Sequence, residues 1–218
     1  MGYGRRGSAG LIDVRAIGVR ACCMSQPTSP DYTTLDAPAR LALAYAPAHA
    51  RPAWEALLLF ERRLADTARP GRDPMMIQLR LAWWRDRLGE PASAWPKGEP
   101  LLARLTVWDS ARGALEEIVN GWEASVVGDD GGVELASARI AAYVALGRLL
   151  DVSADAAVRT VASDVVRPET AQGPAPRLPR PMRPLSILRV LSMREARHGR
   201  HSPVLDILRI LRIGVLGR

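Results

Sequence analysis

Residues 51–88 read RPAWEALLLFERRLADTARPGRDPMMIQLRLAWWRDRL. Trp54, Leu57, Leu58, Leu64 and Ala65 recur at the i, i+3, i+4, i+7 spacing of one helix face. Pro70-Gly71 stops that run. Asp73-Pro74 opens a second one, as capping residue and first-turn proline, through Met76, Leu79, Arg80, Trp83, Trp84 and Leu88. The stretch therefore predicts two helices, about 50–68 and 74–88, joined by a tight turn.

The same signals continue on both sides. Asp36 and Pro38 open a helix through Leu41, Leu43, Ala44 and Tyr45 that closes at Pro47. After a loop at 90–100 comes a helical turn at 100–107. Asp109 then reads as the cap of a helix over 110–126, with Leu115, Ile118, Val119 and Trp122. Gly128 to Gly132 is a break. Helices follow at 133–150, on Leu135, Ile140, Tyr143, Val144, Leu146 and Leu150, and at 154–166. Residues 167–184 hold six prolines and one glycine, the composition of a linker or an extended arm. Two terminal helices are predicted, at 185–198 and 203–216, parted by His198-Gly199-Arg200-His201. Nothing alternates with the period of a strand. The fold class is all-α.

At 218 residues and 23.7 kDa the chain can build one good core. With 48% hydrophobic and 24% charged residues it has an ordinary globular mix. No run of about 18 apolar residues occurs, so no spanning helix is expected. The two cysteines, Cys22 and Cys23, are adjacent, which leaves neither a disulfide framework nor a cysteine zinc site. The formal charge is +7, yet only Lys97 among the 30 basic residues is a lysine. That bias looks compositional and weakens the pI of 10.3 as a sign of nucleic-acid binding. Residues 24–166 carry 15 basic and 19 acidic groups, whereas 167–218 carry 11 and 3. A nucleic-acid enzyme built on a basic core would not distribute charge this way, so no nucleic-acid partner is expected.

The expected organisation is a non-native or disordered extension over 1–23, a bundle over 24–166, a Pro-rich linker over 167–184, and C-terminal helices over 185–218 belonging to the same domain. Met24 reads as a natural start. The rival for the extension is a transit peptide, because it is Arg-rich and acid-poor.

Leu41 to Leu88 resembles the squalene/phytoene synthase family. The residues that carry the likeness are Ala46-Pro47-Ala48-His49-Ala50-Arg51, then Ala56-Leu57-Leu58-Leu59-Phe60-Glu61-Arg62-Arg63-Leu64-Ala65-Asp66-Thr67-Ala68-Arg69, then the helix closing on Trp83-Trp84-Arg85. The resemblance implies a shortened helical bundle of the isoprenoid synthase type. In the family, Mg²⁺ held by aspartate-rich motifs neutralises a departing diphosphate. It also implies Arg51, Arg62 and Arg85 as diphosphate contacts, and Leu58, Trp83 and Trp84 as pocket walls.

The chain departs from the family at the acids. The first motif reads Ala65-Asp66-Thr67-Ala68-Arg69, so its two outer acids are Ala65 and Arg69. Arg69 puts a cation where a metal would sit. A second D-x-x-x-D pair, Asp151 and Asp155, reads more simply as flanking a turn, with Ser153 or Asp155 capping the next helix. The catalytic candidates reduce to Asp66, Asp151 and Asp155, and no metal is expected unless condensation survives, in which case Mg²⁺ would be required. The pattern is closest to a branch resembling the mitochondrial complex I assembly factor and its alphaproteobacterial relatives, which keep the Trp-Trp-Arg helix without the acidic motifs.

Single residues have plainer readings as well. On the plainer reading the three arginines are surface or salt-bridged helix residues, one of the two tryptophans packs while the other lies nearer solvent, and Glu116-Glu117 is a solvated face. His49 reads as a loop residue. His198 and His201 lack an accompanying acid or cysteine for metal binding. Three functions follow. The first is a non-catalytic binding or assembly factor near the membrane, cytoplasmic or peripheral on the inner membrane, with an isoprenoid diphosphate or lipid, or a protein of respiratory complex assembly, as partner. The second is an active prenyl transferase joining isoprenoid diphosphates head to head. The third is a membrane-surface adaptor working through Arg183, Arg189, Arg194, Arg197, Arg200, Arg209 and Arg212.

Overall fold

Asp36 and Asp73 both start helices as their sequence positions predict. The Asp36 carboxylate accepts from the Ala39 amide at 2.9 Å, and that of Asp73 from the Met75 amide at 2.9 Å. Each satisfies a donor that the first helical turn leaves unpaired. The computed structural model describes residues 35–128, 130–196 and 212. Among them are eight α-helices and no strand: α1 (Ala37–Ala44), α2 (Arg51–Thr67), α3 (Pro74–Gly89), α4 (Pro100–Leu105), α5 (Arg112–Val127), α6 (Val133–Leu149), α7 (Asp155–Val166) and α8 (Arg183–Ala196). All lie in the unit Tyr32–Arg218. Residues 1–23, His198, His201 and the expected helix at 203–216 lie outside the described residues, apart from Arg212.

Helix α2 is the most enclosed. Ten of its 17 residues are buried, far more than one stripe would supply. It packs against α1, α3, α4 and a 3₁₀ turn, Thr106–Ala111. Trp54, Phe60 and Leu64 have no exposed surface. Phe60 meets Trp84 of α3 edge to face, with ring centroids 5.3 Å apart.

Three indoles hold this core in register. Trp108 Nε1 donates to the Ala53 carbonyl at 3.0 Å, and Trp95 Nε1 donates to the Arg87 and Glu90 carbonyls. Trp54 Nε1 donates to the Pro181 carbonyl at 2.9 Å, across 127 positions of sequence. A buried indole N–H without a partner would forfeit much of the gain from burying the ring.

The structure corrects the cap predicted at Asp109. Asp109 does not open α5. It lies inside the 3₁₀ turn, where its carboxylate accepts from the Ala92 amide at 2.9 Å and pairs with Arg112. The turn continues α4 without a break so as to bury Trp108, and α5 begins at Arg112 with no side-chain cap.

The Pro-rich segment is an arm held against the bundle. It contains 3₁₀ turns at Pro168–Thr170 and Arg180–Met182, and it buries Leu178 and Met182. Gly173 and Pro181 offer carbonyls to Arg189 and Trp54. Prolines lessen the entropy lost in fixing such a segment. Helix α8 follows at Arg183, two residues earlier than the sequence suggests, and joins α1 through Ala42, Ile187 and Val190.

Helices α5 and α6 make the closest contact. A Cβ on Gly121 would stand 2.6 Å from the Leu135 Cα, so only glycine fits there. Gly121→Ala should therefore lower the unfolding free energy by about 1–3 kcal/mol, read as a lower urea midpoint. Gly113→Ala in the same helix meets open space and should leave stability unchanged or raise it by up to about 1 kcal/mol.

Candidate functional site

Two helix faces meet at a cleft of about 330 Å³. Arg63, Asp66 and Thr67 of α2 stand at i, i+3 and i+4, and so share one face. Arg80, Trp83 and Trp84 of α3 repeat the same spacing opposite. Arg72, from the turn between the helices, and Glu99, ahead of α4, complete the lining.

The floor of the cleft is electrostatically closed. Asp66 is only 9% exposed, and both of its oxygens are engaged. Arg69 Nη2 lies 2.6 Å from Oδ1, and Arg72 Nη2 lies 3.1 Å from Oδ2. Arg63 holds Glu99 at 3.1 Å, and the Thr67 hydroxyl donates to the Arg63 carbonyl at 2.9 Å. Arg80 is exposed and makes no ion pair among the described residues. The rim thus offers a free guanidinium beside Trp83, which is 40% exposed, while Trp84 is buried. The two rings stand edge to face with centroids 5.0 Å apart.

Of the residues singled out from sequence, Asp66, Trp83 and Trp84 come together here. The three arginines Arg51, Arg62 and Arg85 do not line the cleft. Arg51 donates to the Ala46 carbonyl, Arg62 faces Asp36 at 3.8 Å, and Arg85 spans to Asn120 and Glu123 of α5. Leu58 is buried in the core. Arg63, Arg72 and Arg80 line the cleft without having been singled out. Helical spacing from Asp66 and from the Trp pair would have found Arg63 and Arg80, but only the fold of the turn places Arg72.

Asp151 and Asp155 border a separate open depression with Arg148 and Ser153. Asp155 is bound to Arg148 at 2.6 Å and 2.8 Å. Neither Ser153 nor Asp155 caps α7, whose start at Ala154 has no side-chain cap. That expectation is corrected because Asp155 is drawn to Arg148 instead. Asp151 has φ +56° and ends α6: its amide donates to the Arg148 carbonyl and that of Val152 to the Gly147 carbonyl. This is the paired-bond helix ending that usually takes glycine. Arg189 also leaves the expected cationic surface. It is 3% exposed and donates from Nε to Asp164 at 2.6 Å.

The carboxylates present do not fit Mg²⁺. Asp66 is alone in the cleft but for Glu99, both acids are held by arginines, and no group of three acids, histidines or cysteines among the described residues could share an ion.

A second charged cluster lies between α2 and α6. Arg139 binds Glu61 through Nε at 2.7 Å, and its guanidinium stands 5.9 Å from the Trp122 ring. Glu61 raises the Arg139 pKa. Burial pushes the neighbouring Tyr143 phenol well above its usual range, with Glu61 adding and Arg139 opposing.

No family model matches the chain, and no curated protein or solved structure matches it. Fold and site by themselves define an all-helical protein with a cationic, tryptophan-walled cleft. No described helix is long and apolar enough to cross a membrane.

Two predictions follow from these placements. Asp151→Gly should be neutral or stabilising by up to about 1 kcal/mol, and Asp151→Val should cost more than about 1 kcal/mol in a thermal or urea melt. The raised Tyr143 pKa means that the folded state keeps a proton which the unfolded chain releases above about pH 10. Its contribution is therefore complete below that pH and is lost above it by about 1.4 kcal/mol per pH unit. Tyr143→Phe should flatten that alkaline slope in pH-dependent unfolding.

Proposed function

We propose that this is a squalene/phytoene synthase-like protein that binds without catalysing, a holding or assembly factor for an isoprenoid diphosphate or a similar anionic amphiphile. The observation that carries the reading is the state of Asp66. It is the one acid retained from the family motif, and Arg69 and Arg72 occupy both of its oxygens. A carboxylate neutralised this way has little left to offer a cation. The order of α2, the turn, and α3 carrying Trp83-Trp84-Arg85 supports the family side of the proposal. Arg80 and Trp83 support the ligand class: an unpaired cation for phosphate oxygens beside an apolar wall for a hydrocarbon chain.

The test is thermal unfolding with farnesyl and geranylgeranyl diphosphate, in EDTA and in Mg²⁺, with product analysis by mass spectrometry. Both ligands should raise the melting temperature in EDTA, equivalent to about 2.7 kcal/mol at a hundredfold excess over Kd. Arg80→Ala should weaken binding about tenfold. Head-to-head C30 or C40 product in Mg²⁺ would restore the prenyl transferase reading. No protection by either ligand would remove the binding reading.

A further inference from the structure

One ion pair ties α2 to the segment ahead of α4 across the cleft. Arg63 Nη2 meets Glu99 Oε1 at 3.1 Å, over 36 positions of sequence. The two side chains keep 35% and 27% of their surface. A single-point pair this open to water is weak and readily exchanged. It differs from the clamp beside it, where a separate arginine holds each oxygen of the buried Asp66. The cleft thus sorts its cations. Arg69 and Arg72 are bound to a buried acid, Arg80 makes no ion pair among the described residues, and Arg63 is held by a carboxylate that water reaches.

Glu99 stands at the N-cap of α4, yet its side chain does not cap that helix and reaches across to Arg63 instead. Around the cleft Arg63, Arg69, Arg72 and Arg80 face only Asp66 and Glu99, so positive charge is in excess. A carboxylate on a guanidinium occupies the place a phosphate oxygen would take, since both accept from the same N–H fork. We infer that Glu99 is the resident anion of the cleft, displaced from Arg63 when a phosphate ligand enters, so that Arg63 and Arg80 take up the phosphate together. A phosphate brings more charge and more acceptor oxygens than the one carboxylate oxygen in place, which gives the exchange its direction. The exchange also reaches the backbone. Beyond Trp95, which is buried and bound to the Arg87 and Glu90 carbonyls, the chain runs through Pro96, Lys97 and Gly98, all exposed. Glu99 ties the far end of this strip to α2, so its release loosens the strip that carries the only lysine of the chain. The inference rests on the proposed function only in taking a phosphate as the ligand.

The probe is inorganic pyrophosphate, which carries no hydrocarbon chain and reports on the arginines alone. Calorimetry in EDTA compares the full chain with Glu99→Gln, Arg63→Ala and the double variant. Both side chains are partly in water and share one contact, so the variants should fold, which circular dichroism checks. Glu99→Gln should bind pyrophosphate about fivefold more tightly, and Arg63→Ala about fivefold less tightly. In the Arg63→Ala background the change at Glu99 should gain less than about twofold, because no cation remains to be released. A lysine-specific protease can cut only at Lys97, and it should cut faster with pyrophosphate, or in Glu99→Gln, than in the empty parent. Three results overturn the inference: an equal gain from Glu99→Gln with and without Arg63, as a distant charge would give; no pyrophosphate binding by the parent or by Glu99→Gln; or cleavage at Lys97 that pyrophosphate slows or leaves unchanged. Protection by farnesyl diphosphate that ignores the state of Glu99 keeps the proposed function and removes the exchange. Exchange by pyrophosphate with no protection by farnesyl diphosphate does the reverse.

Discussion

The indole of Trp54 has no exposed surface, and its N–H ends on the carbonyl of Pro181. That one bond joins the beginning of the central helix to the arm that leads into α8. Around it the chain has to solve a single problem: α2 is too apolar for one neighbour to cover. Helix α3 covers one side through Trp84 and Phe60, and the α4 turn brings Trp108 to the Ala53 carbonyl. On another side Tyr143 of α6 leans on the Trp54 ring, with centroids 5.9 Å apart. The arm closes what is left. Trp54, Trp95 and Trp108 each place the indole N–H on a backbone carbonyl, so the burial of these three rings is not offset by stranded donors.

The long helices were legible because their apolar residues recur at helical spacing and their ends carry Asp, Pro or Gly. The caps at Asp36 and Asp73 were legible for the same reason: the side chain needs only its own amide neighbours. Asp109 has an identical local signature, yet a tertiary need overrode it, since the backbone continues as a 3₁₀ turn to bury Trp108. The proline count of 167–184 reports extended backbone but says nothing of what Leu178 and Met182 pack against. Local pattern reports local geometry, and distant partners enter only with the fold.

The cleft divides the same way. Asp66, Trp83 and Trp84 could be singled out because they stand in a motif. Arg51, Arg62 and Arg85 stood in it too, but among 29 arginines a match in position carries little information about where a guanidinium points. Their partners are Ala46, Asp36, Asn120 and Glu123, and each of these depends on how helices lie across one another. Arg80, which has no such partner, went unnoticed for the corresponding reason: nothing in sequence distinguishes an arginine left free from one that is taken.

The clamp on Asp66 also limits the paths open to descendants of this chain. Exchanging Arg69 alone for an acid would set a half-exposed carboxylate beside the buried Asp66, with one arginine left to offset both. Exchanging Arg72 alone would leave half of the buried charge uncompensated. Either step costs stability before any cation could be gained, so the three side chains act as one unit.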